Sequence, residues 1–152
     1  MTREEMAESL RSSAEHLTDL WTTAVRQDPR IRSDDHLTHA ELEDEIRVII
    51  DEIAVALVDD DPPSAATARE GRVHVYTRYR QGYRARDIVR ELSLLRLVVL
   101  DFLATAATAT DVTGTVAEFA EVARVVNLFV DEEMRYAITI YVESPPPDGA
   151  AP

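Results

Sequence analysis

The sequence contains no cysteine and no lysine, and only 4 of its 152 residues are glycine. The absence of cysteine excludes disulfides, thiolate zinc sites, cysteine-bound iron–sulfur clusters and a cysteine nucleophile. With so few glycines, a backbone loop that cradles phosphate groups is not expected, and the P-loop, G-x-S-x-G and H-E-x-x-H motifs are all missing. These gaps argue against an enzyme and predict no metal and no cofactor.

Two acidic runs have the side chains for a metal site or for acid–base catalysis, but each has a simpler interpretation. The three aspartates at 59–61 come directly before two prolines, which is typical of a solvated helix end. Asp131, Glu132 and Glu133 fall within a long helical stretch and are interpreted as a hydrated helix face. Neither run predicts a functional site.

Long hydrophobic runs are also missing. Asp101 interrupts the longest of them, LLRLVVLDFLATAATA, and the N-terminus MTREEMAESLRSS is charged where a secretory signal has its apolar core. We therefore expect a cytoplasmic protein with no membrane insertion.

The sequence is rich in acidic residues, with a net charge of −13 at pH 7. All 16 basic residues are arginine, and 8 of them lie at 62–96, a segment with only 3 acidic residues. Acidic segments flank this basic island, so its arginines can pair within the chain. Because nucleic-acid binders are more often basic overall, no nucleic-acid partner is expected.

Hydrophobic spacing predicts an all-α chain with about five main helices and no strand. T-x-x-E capping boxes begin at Thr2, Thr38 and Thr115, and Gly82 is suited to the left-handed residue that closes a helix. The predicted helices run from the N-terminus to about 27, from 38 to about 59, from near 64 or 65 to 81, over 85–107 and over 116–142.

The last predicted helix carries more apolar residues than one core contact requires. A second apolar surface indicates self-association, so we expect a homodimer that packs this helix against its mate. The predicted interface residues are Val122, Val126, Phe129, Val130, Ile138 and Tyr141.

A helical chain of this length is also compatible with a haem or small-ligand binding protein, and haem requires an axial ligand. His74 is the best candidate for cofactor binding, because the other three histidines lie in polar or helix-start contexts. Its helical neighbours offer no apolar side chain to line a haem pocket; they are Glu70, Gly71, Thr77 and Arg78. The pattern favours a hydrogen-bonded surface or interhelix histidine.

The arginines at 78–90 are interpreted as surface side chains whose stems cover apolar helices and whose charges pair with acidic segments. Arg96 differs, because apolar residues flank it and predict partial burial with a partner on another helix. On this interpretation, Arg96→Ala lowers stability more than Arg80→Ala does.

A family resemblance is carried by residues 74–96, in the order His74, Arg78, Gln81-Gly82-Tyr83, Asp87-Ile88-Val89-Arg90-Glu91 and Leu94-Leu95-Arg96. This order resembles the signature of the N-terminal sensor domain of RsbR-type (RsbRD) stressosome co-antagonists, also found as an input domain of bacterial sensor histidine kinases. The resemblance extends more loosely over roughly 15–142. One departure is Arg84, which stands where the family usually has a helix-capping Ser or Thr.

The resemblance implies a globin-like helical bundle without haem that dimerises and acts as a non-catalytic signal-input domain in stress or two-component signalling. Signals would pass through the last helix to a downstream signalling protein or output domain. Residues 1–142 would form the sensor domain, and residues 143–152 a disordered, proline-rich tail or linker. Since no phosphate-accepting or kinase domain follows, we expect either an excised input domain or a free-standing protein.

Overall fold

The structure, a computed structural model, describes residues 1–43, 45–59, 68–109 and 115–144. Within these ranges all regular structure is α-helical, which confirms the predicted all-α class. The seven helices described are α1 (Arg3–Ser12), α2 (Ala14–Gln27), α3 (His39–Glu43), α4 (Ile46–Val58), α5 (Arg69–Arg80), α6 (Ala85–Thr108) and α7 (Thr115–Glu143).

Two of the five predicted helices are divided in the structure. The first breaks at Ser13, where φ is −107° and ψ is 8°, and the second breaks before Glu45, whose φ of 70° is left-handed. Neither break is visible in the sequence, because the helical spacing of apolar residues continues across both of them. At each break, the amphipathic pattern therefore continues from one helix into the next, from α1 into α2 and from α3 into α4.

Two of the predicted capping boxes are present in the structure. The Thr2 hydroxyl accepts from the Glu5 amide at 3.2 Å, and the Glu5 carboxylate accepts from the Thr2 amide at 2.7 Å. Thr38 and Glu41 exchange the same two bonds ahead of α3, at 3.2 and 2.7 Å. These bonds satisfy amides that have no partner within the helix.

Some predictions fall outside the described residues. They are the third helix start near 64 or 65, the aspartates at 60 and 61, the Thr115 side chain and the tail from residue 145 onward. Within the described part of the chain, α6 and α7 lie within one or two residues of their predicted bounds.

The last helix, α7, lies against several others: it packs along α6 and also contacts α5, α4 and α1. This multiple packing explains its surplus of apolar residues, because more than one side of the helix faces the core of its own chain. Five of the six predicted dimer-interface residues are accordingly buried within one chain: Val122, Val126, Phe129, Val130 and Tyr141. The sixth, Ile138, is 55% exposed.

The acidic run on α7 also differs from its interpretation as a hydrated face. Glu133 is 0% exposed, whereas Asp131 is exposed and Glu132 is partly buried. Glu133 lies four residues after Phe129 and four before Ala137, which are both buried, so the helical repeat carries it into the core.

Among the described residues, no helix combines the length and the apolar character that crossing a membrane requires.

Candidate functional site

The corner between α5 and α6 is closed by Gly82, as its position in the sequence predicts. Gly82 has a φ of 81°, its amide donates to the Tyr79 carbonyl at 3.1 Å, and the Tyr83 amide donates to the Arg78 carbonyl at 3.1 Å. This pair of bonds is the Schellman motif. A Cβ at this position would meet no atom within 4 Å, so the backbone conformation alone favours glycine.

Beside this corner lies a set of polar and aromatic residues, which we call the corner cluster: His74, Arg78, Gln81, Tyr83 and Glu91. His74, Arg78 and Gln81 belong to α5 and its cap, Tyr83 to the turn and Glu91 to α6. Four of these side chains are almost fully buried, and Gln81 is partly buried. The fold therefore assembles, from both sides of one turn, residues that are up to 17 positions apart in the sequence.

Arg78 is the cation of the corner cluster and is 0% exposed. Its Nε donates to Oε2 of Glu91 at 3.1 Å, and its Nη2 donates to the Leu42 carbonyl at 2.5 Å. Its Nη1 donates to the Glu41 carbonyl at 3.0 Å and to Oε1 of Gln81 at 2.9 Å. One guanidinium thus joins α5 to α6 and to the C-terminal carbonyls of α3, which lack partners within that short helix.

The interpretation of Arg78 as a surface arginine was therefore wrong. Its position places it on the buried face of α5, one helical turn after His74 and three residues after Val75. The negative charge that allows this burial comes from Glu91, which is itself 0% exposed.

Two aromatic side chains lie beside the Arg78–Glu91 ion pair. The indole Nε1 of Trp21, on α2, donates to the Glu91 carbonyl at 3.0 Å. The Tyr83 ring lies with its centroid 5.3 Å from the guanidinium carbon of Arg78. Burial, and then the negative charge of Glu91, raise the pKa of Tyr83 far above its ordinary value, so its hydroxyl stays protonated.

His74 lies inside the fold, between α2 and α6. It is 1% exposed, its Nε2 is 3.4 Å from Oε2 of Glu91, and its ring meets the Trp21 ring edge-on at 6.2 Å between centroids. The interhelix alternative for His74 is therefore right and the surface alternative is wrong. Contacts with a tryptophan and a carboxylate are those of a packed core histidine and give a haem-ligand role no support.

The start of α6 is held by a second carboxylate, Asp87. Its Oδ2 accepts from the Ser33 hydroxyl at 2.5 Å, from the Ser33 amide at 3.1 Å and from Nη2 of Arg84 at 2.9 Å. Burial opposes the ionised form of Asp87, but these bonds outweigh it and hold the pKa of Asp87 below its ordinary value.

Ser33 also bonds the N-cap residue of α6, Arg84. The Ser33 hydroxyl accepts from the Arg84 amide at 3.3 Å, and Arg84 has the extended backbone of an N-cap without a capping bond of its own. A side-chain cap would accept from an amide two or three residues further on, so Ser33 satisfies a different amide at the start of α6 from the one that a Ser or Thr at position 84 would satisfy.

The C-terminal end of α7 is hydrogen-bonded to this corner. The Tyr141 hydroxyl donates to the Tyr83 carbonyl, and the Tyr79 hydroxyl donates to the Ser144 carbonyl at 2.6 Å. The Tyr79 and Tyr141 rings meet edge-on at 5.2 Å between centroids. Burial raises the pKa of Tyr141 to about 12, which keeps its hydroxyl a donor.

Leu95 and Arg96, the remaining signature residues, lie away from the corner cluster. Leu95 is buried in the hydrophobic core. The Arg96 side chain is 27% exposed and its Nη1 lies 3.2 Å from Oδ1 of Asp131, so its partner does come from another helix, α7. Because Asp131 is 58% exposed, this is a surface pair that contributes about 0–1 kcal/mol to the free energy of unfolding. Loss of the buried Arg78 is therefore expected to lower stability more than loss of Arg96.

Comparison with protein families matches residues 15–144 to the RsbT co-antagonist protein rsbRD N-terminal domain. The match contains the whole corner cluster and most of the chain. The chain belongs to this family. Comparisons with curated proteins and with solved structures give no match. Membership of the family makes the chain a regulatory signalling domain, while the globin-like topology stays a prediction.

The arrangement is suited to holding one helix geometry. The carboxylates of Glu91 and Asp87 are engaged by Arg78 and Arg84, and among the described residues no group of three or more histidine or acidic side chains is placed to hold a metal ion. Breaking a buried pair of this kind is costly, so the corner cluster favours one packing of α5, α6 and α3 over alternatives.

Three contributors to this site were missed in the sequence: Trp21, Ser33 and Tyr141 as a corner residue. Trp21 and Ser33 lie more than 50 positions before the residues they bond, and no local pattern marks such pairs. Tyr141 does carry a signal, because a tyrosine on an otherwise apolar stripe needs a hydrogen-bond partner when it is buried.

Proposed function

We propose that this chain is a non-catalytic signal-input domain of a bacterial-type stress or two-component signalling system, which passes its signal through α7 to a downstream signalling protein or output domain. The family match supports the signalling role, since the family is described as the N-terminal domain of an RsbT co-antagonist protein. The observation that carries the route through α7 is the pair of hydrogen bonds between the end of α7 and the α5–α6 corner.

The proposed path has three steps. A change at the loop after α2 reaches Asp87 through Ser33, because the Ser33 hydroxyl bonds both the Asp87 carboxylate and the Arg84 amide. The start of α6 and the turn at Tyr83 move together, because they are adjacent in the chain. The last turn of α7 follows through the bond from Tyr141 to the Tyr83 carbonyl.

Amide hydrogen exchange in the last two turns of α7 tests this path. Ser33→Ala removes the hydroxyl that bonds Asp87, and we expect several-fold faster exchange at residues 136–143. The matched control is Ser12→Ala, whose hydroxyl donates to the Ser9 carbonyl at the end of α1 and whose loss should leave these amides unchanged.

Tyr141→Phe provides the decisive comparison, because it cuts the link while keeping the ring. In that background Ser33→Ala should no longer change exchange at residues 136–143, a coupling that a double-mutant cycle measures directly. Additive effects of Ser33→Ala and Tyr141→Phe would refute the path.

We also propose that the domain is a homodimer whose seam includes the exposed face of α7. Since five of the six predicted interface residues are buried, the apolar side chains available on this face are Leu128, Ile138 and Val142. They lie at spacings of 10 and 4 residues, which places them within one stripe of the helix. This seam keeps the helix and Ile138 from the sequence prediction, and Leu128 and Val142 take the place of the five buried residues.

Light scattering or sedimentation of the full chain tests the dimer. We expect a mass of two chains that falls to one chain in Ile138→Asp. Val55→Asp is the matched control, because Val55 is a similarly exposed apolar residue on a different helix, α4. A monomer at high micromolar concentration for the unmodified protein would show that the dimer is wrong.

A further inference from the structure

Glu133 of α7 is a buried carboxylate that the corner and its path to α7 do not use. Its side chain is 0% exposed, and neither carboxylate oxygen has a hydrogen-bond partner in the part of the chain that the structure describes. An ionised carboxylate in such a place would bear the full cost of desolvation, whereas the neutral acid would not.

The α5 backbone makes room for this side chain at Gly71. A Cβ on Gly71 would lie 2.5 Å from Cδ and 2.8 Å from Oε2 of Glu133, closer than real contacts allow. Glycine within a helix lowers stability by roughly 1 kcal/mol relative to alanine. Its presence in the first turns of α5 is therefore explained by the carboxyl group that packs against it.

Gly71 also contacts a second carboxylate, Glu52 of α4. Oε1 of Glu52 accepts from the Glu70 amide at 2.8 Å, and Oε2 accepts from the Gly71 amide at 3.2 Å. Two amide donors at a helix N-terminus favour the ionised form of a carboxylate. Burial also raises the pKa of Glu52, but the bonds from these two amides oppose that rise, whereas Glu133 has no such bonds.

The charged groups acting on Glu133 come from three helices. Burial raises the pKa of Glu133 to about 8; the guanidinium of Arg72 on α5 opposes this, while Glu52 on α4 and Glu132 on α7 add to it. Arg72 does not hydrogen-bond Glu133 in the described part of the chain; its guanidinium carbon lies 4.8 Å from the centroid of the Tyr136 ring. Arg96 of α6 pairs with Asp131 and is not among the charges that act on Glu133.

We propose that Glu133 is a proton-binding site at the junction of α4, α5 and α7, which holds one proton while α7 packs against Gly71 and releases it when that packing opens. The ligand is the proton itself, and the fold supplies the discrimination by giving hydrogen bonds to Glu52 and none to Glu133. This site requires neither a protein partner nor the path through the corner, so it stands even if the proposed function fails.

The direction of the effect follows from where the proton is bound. With the junction closed, Glu133 keeps its proton up to about pH 8, whereas in an opened junction exposed to water it loses the proton near its ordinary value of 4.5. Between these values, raising the pH favours the open state, by about tenfold in the opening constant for each pH unit. The junction is therefore tight in acid and loosens as the pH rises through neutrality.

Two measurements on the full chain test the site. In a carbon-13 NMR titration of glutamate carboxyl groups, one resonance should titrate near pH 8 and disappear in Glu133→Gln. Amide exchange at residues 130–137, corrected for the intrinsic rate, should give an opening constant that rises about tenfold per unit between pH 6 and 7.5 in the unmodified protein and stays flat in Glu133→Gln.

Two further variants separate the site from general effects. Glu121→Gln is the matched control, because this glutamate of α7 pairs with Arg124 at 2.6 Å, is not among the charges that act on Glu133 and should leave both signals unchanged. Gly71→Ala keeps every charge but displaces the Glu133 carboxyl group, so the midpoint of the Glu133 titration should fall from about pH 8 toward 4.5. A Glu133 resonance that titrates near 4.5 in the unmodified protein, or an opening constant that does not follow pH, would overturn the proposal.

Discussion

Replacing Arg78 by methionine is the sharpest test of the corner cluster. Methionine keeps much of the length of the arginine stem but removes the guanidinium and its four hydrogen bonds. The substitution leaves the Glu91 carboxylate buried without its cation, and it leaves the carbonyls of Glu41 and Leu42 without their donor. We therefore expect a large loss of stability at a residue whose sequence suggests an exposed position.

The magnitude follows from the burial of both partners. Removing one member of a buried ion pair typically lowers the free energy of unfolding by about 3–5 kcal/mol. A domain of this size has roughly 5–15 kcal/mol in total, and each kcal/mol shifts Tm by about 2–4 °C. Arg78→Met should therefore lower Tm by about 6–20 °C.

Urea denaturation followed by circular dichroism measures this loss. Arg80→Met is the matched control, because Arg80 lies two residues further along the same helix and is exposed, so its change should stay within about 0.5 kcal/mol. Adding Glu91→Leu to Arg78→Met should recover part of the stability, because the stranded charge is then removed as well.

Unfolding of Arg78→Met and Arg80→Met at the same urea concentration and with the same slope would refute the buried ion pair. Glu91→Leu would refute it too by destabilising the Arg78→Met protein as much as the unmodified one, since the two charges would then not interact.

Two further predictions concern the corner. Gly82→Ala should lower the unfolding free energy by about 1 kcal/mol, because alanine is strained at a φ of 81°, and Gly82→Asn should lower it less; equal urea midpoints for the two variants would contradict this. Asp87 has a lowered pKa in the folded state, so its contribution to stability is present above about pH 4 and is lost as the pH falls through the folded-state pKa. Stability measured from pH 5 to pH 2 should fall less steeply in Asp87→Asn, and an unchanged slope would rule out this role.

The helices were predictable because their signals are local. Apolar residues three and four apart fix the buried face, and the boxes at Thr2 and Thr38 and the glycine at 82 mark helix ends through bonds between residues at most five positions apart. The breaks at Ser13 and Glu45 were not predictable, since a continuous apolar repeat is compatible with one long helix or two shorter ones.

The family signature was also readable, but its physical meaning was not. Arg78 and Arg80 look alike in the sequence, and only the fold shows that one is fully buried and the other exposed. Spacing did carry a weak signal, because Arg78 shares a helix face with His74 and Val75, and Glu133 shares one with Phe129 and Ala137. Periodicity alone does not show whether another helix supplies a hydrogen-bonding or oppositely charged group for such a side chain.

What the sequence by itself determined is the all-α class, most helix limits, the closing glycine and the family. What only the tertiary structure decided is which charges are buried, because burial of Arg78 depends on Glu91 from α6 and on carbonyls of α3, and that of Glu133 depends on the missing side chain at Gly71. Local pattern fixes a helix through neighbours within four residues, whereas the energy of a buried charge depends on groups that only the folded chain brings within hydrogen-bond distance.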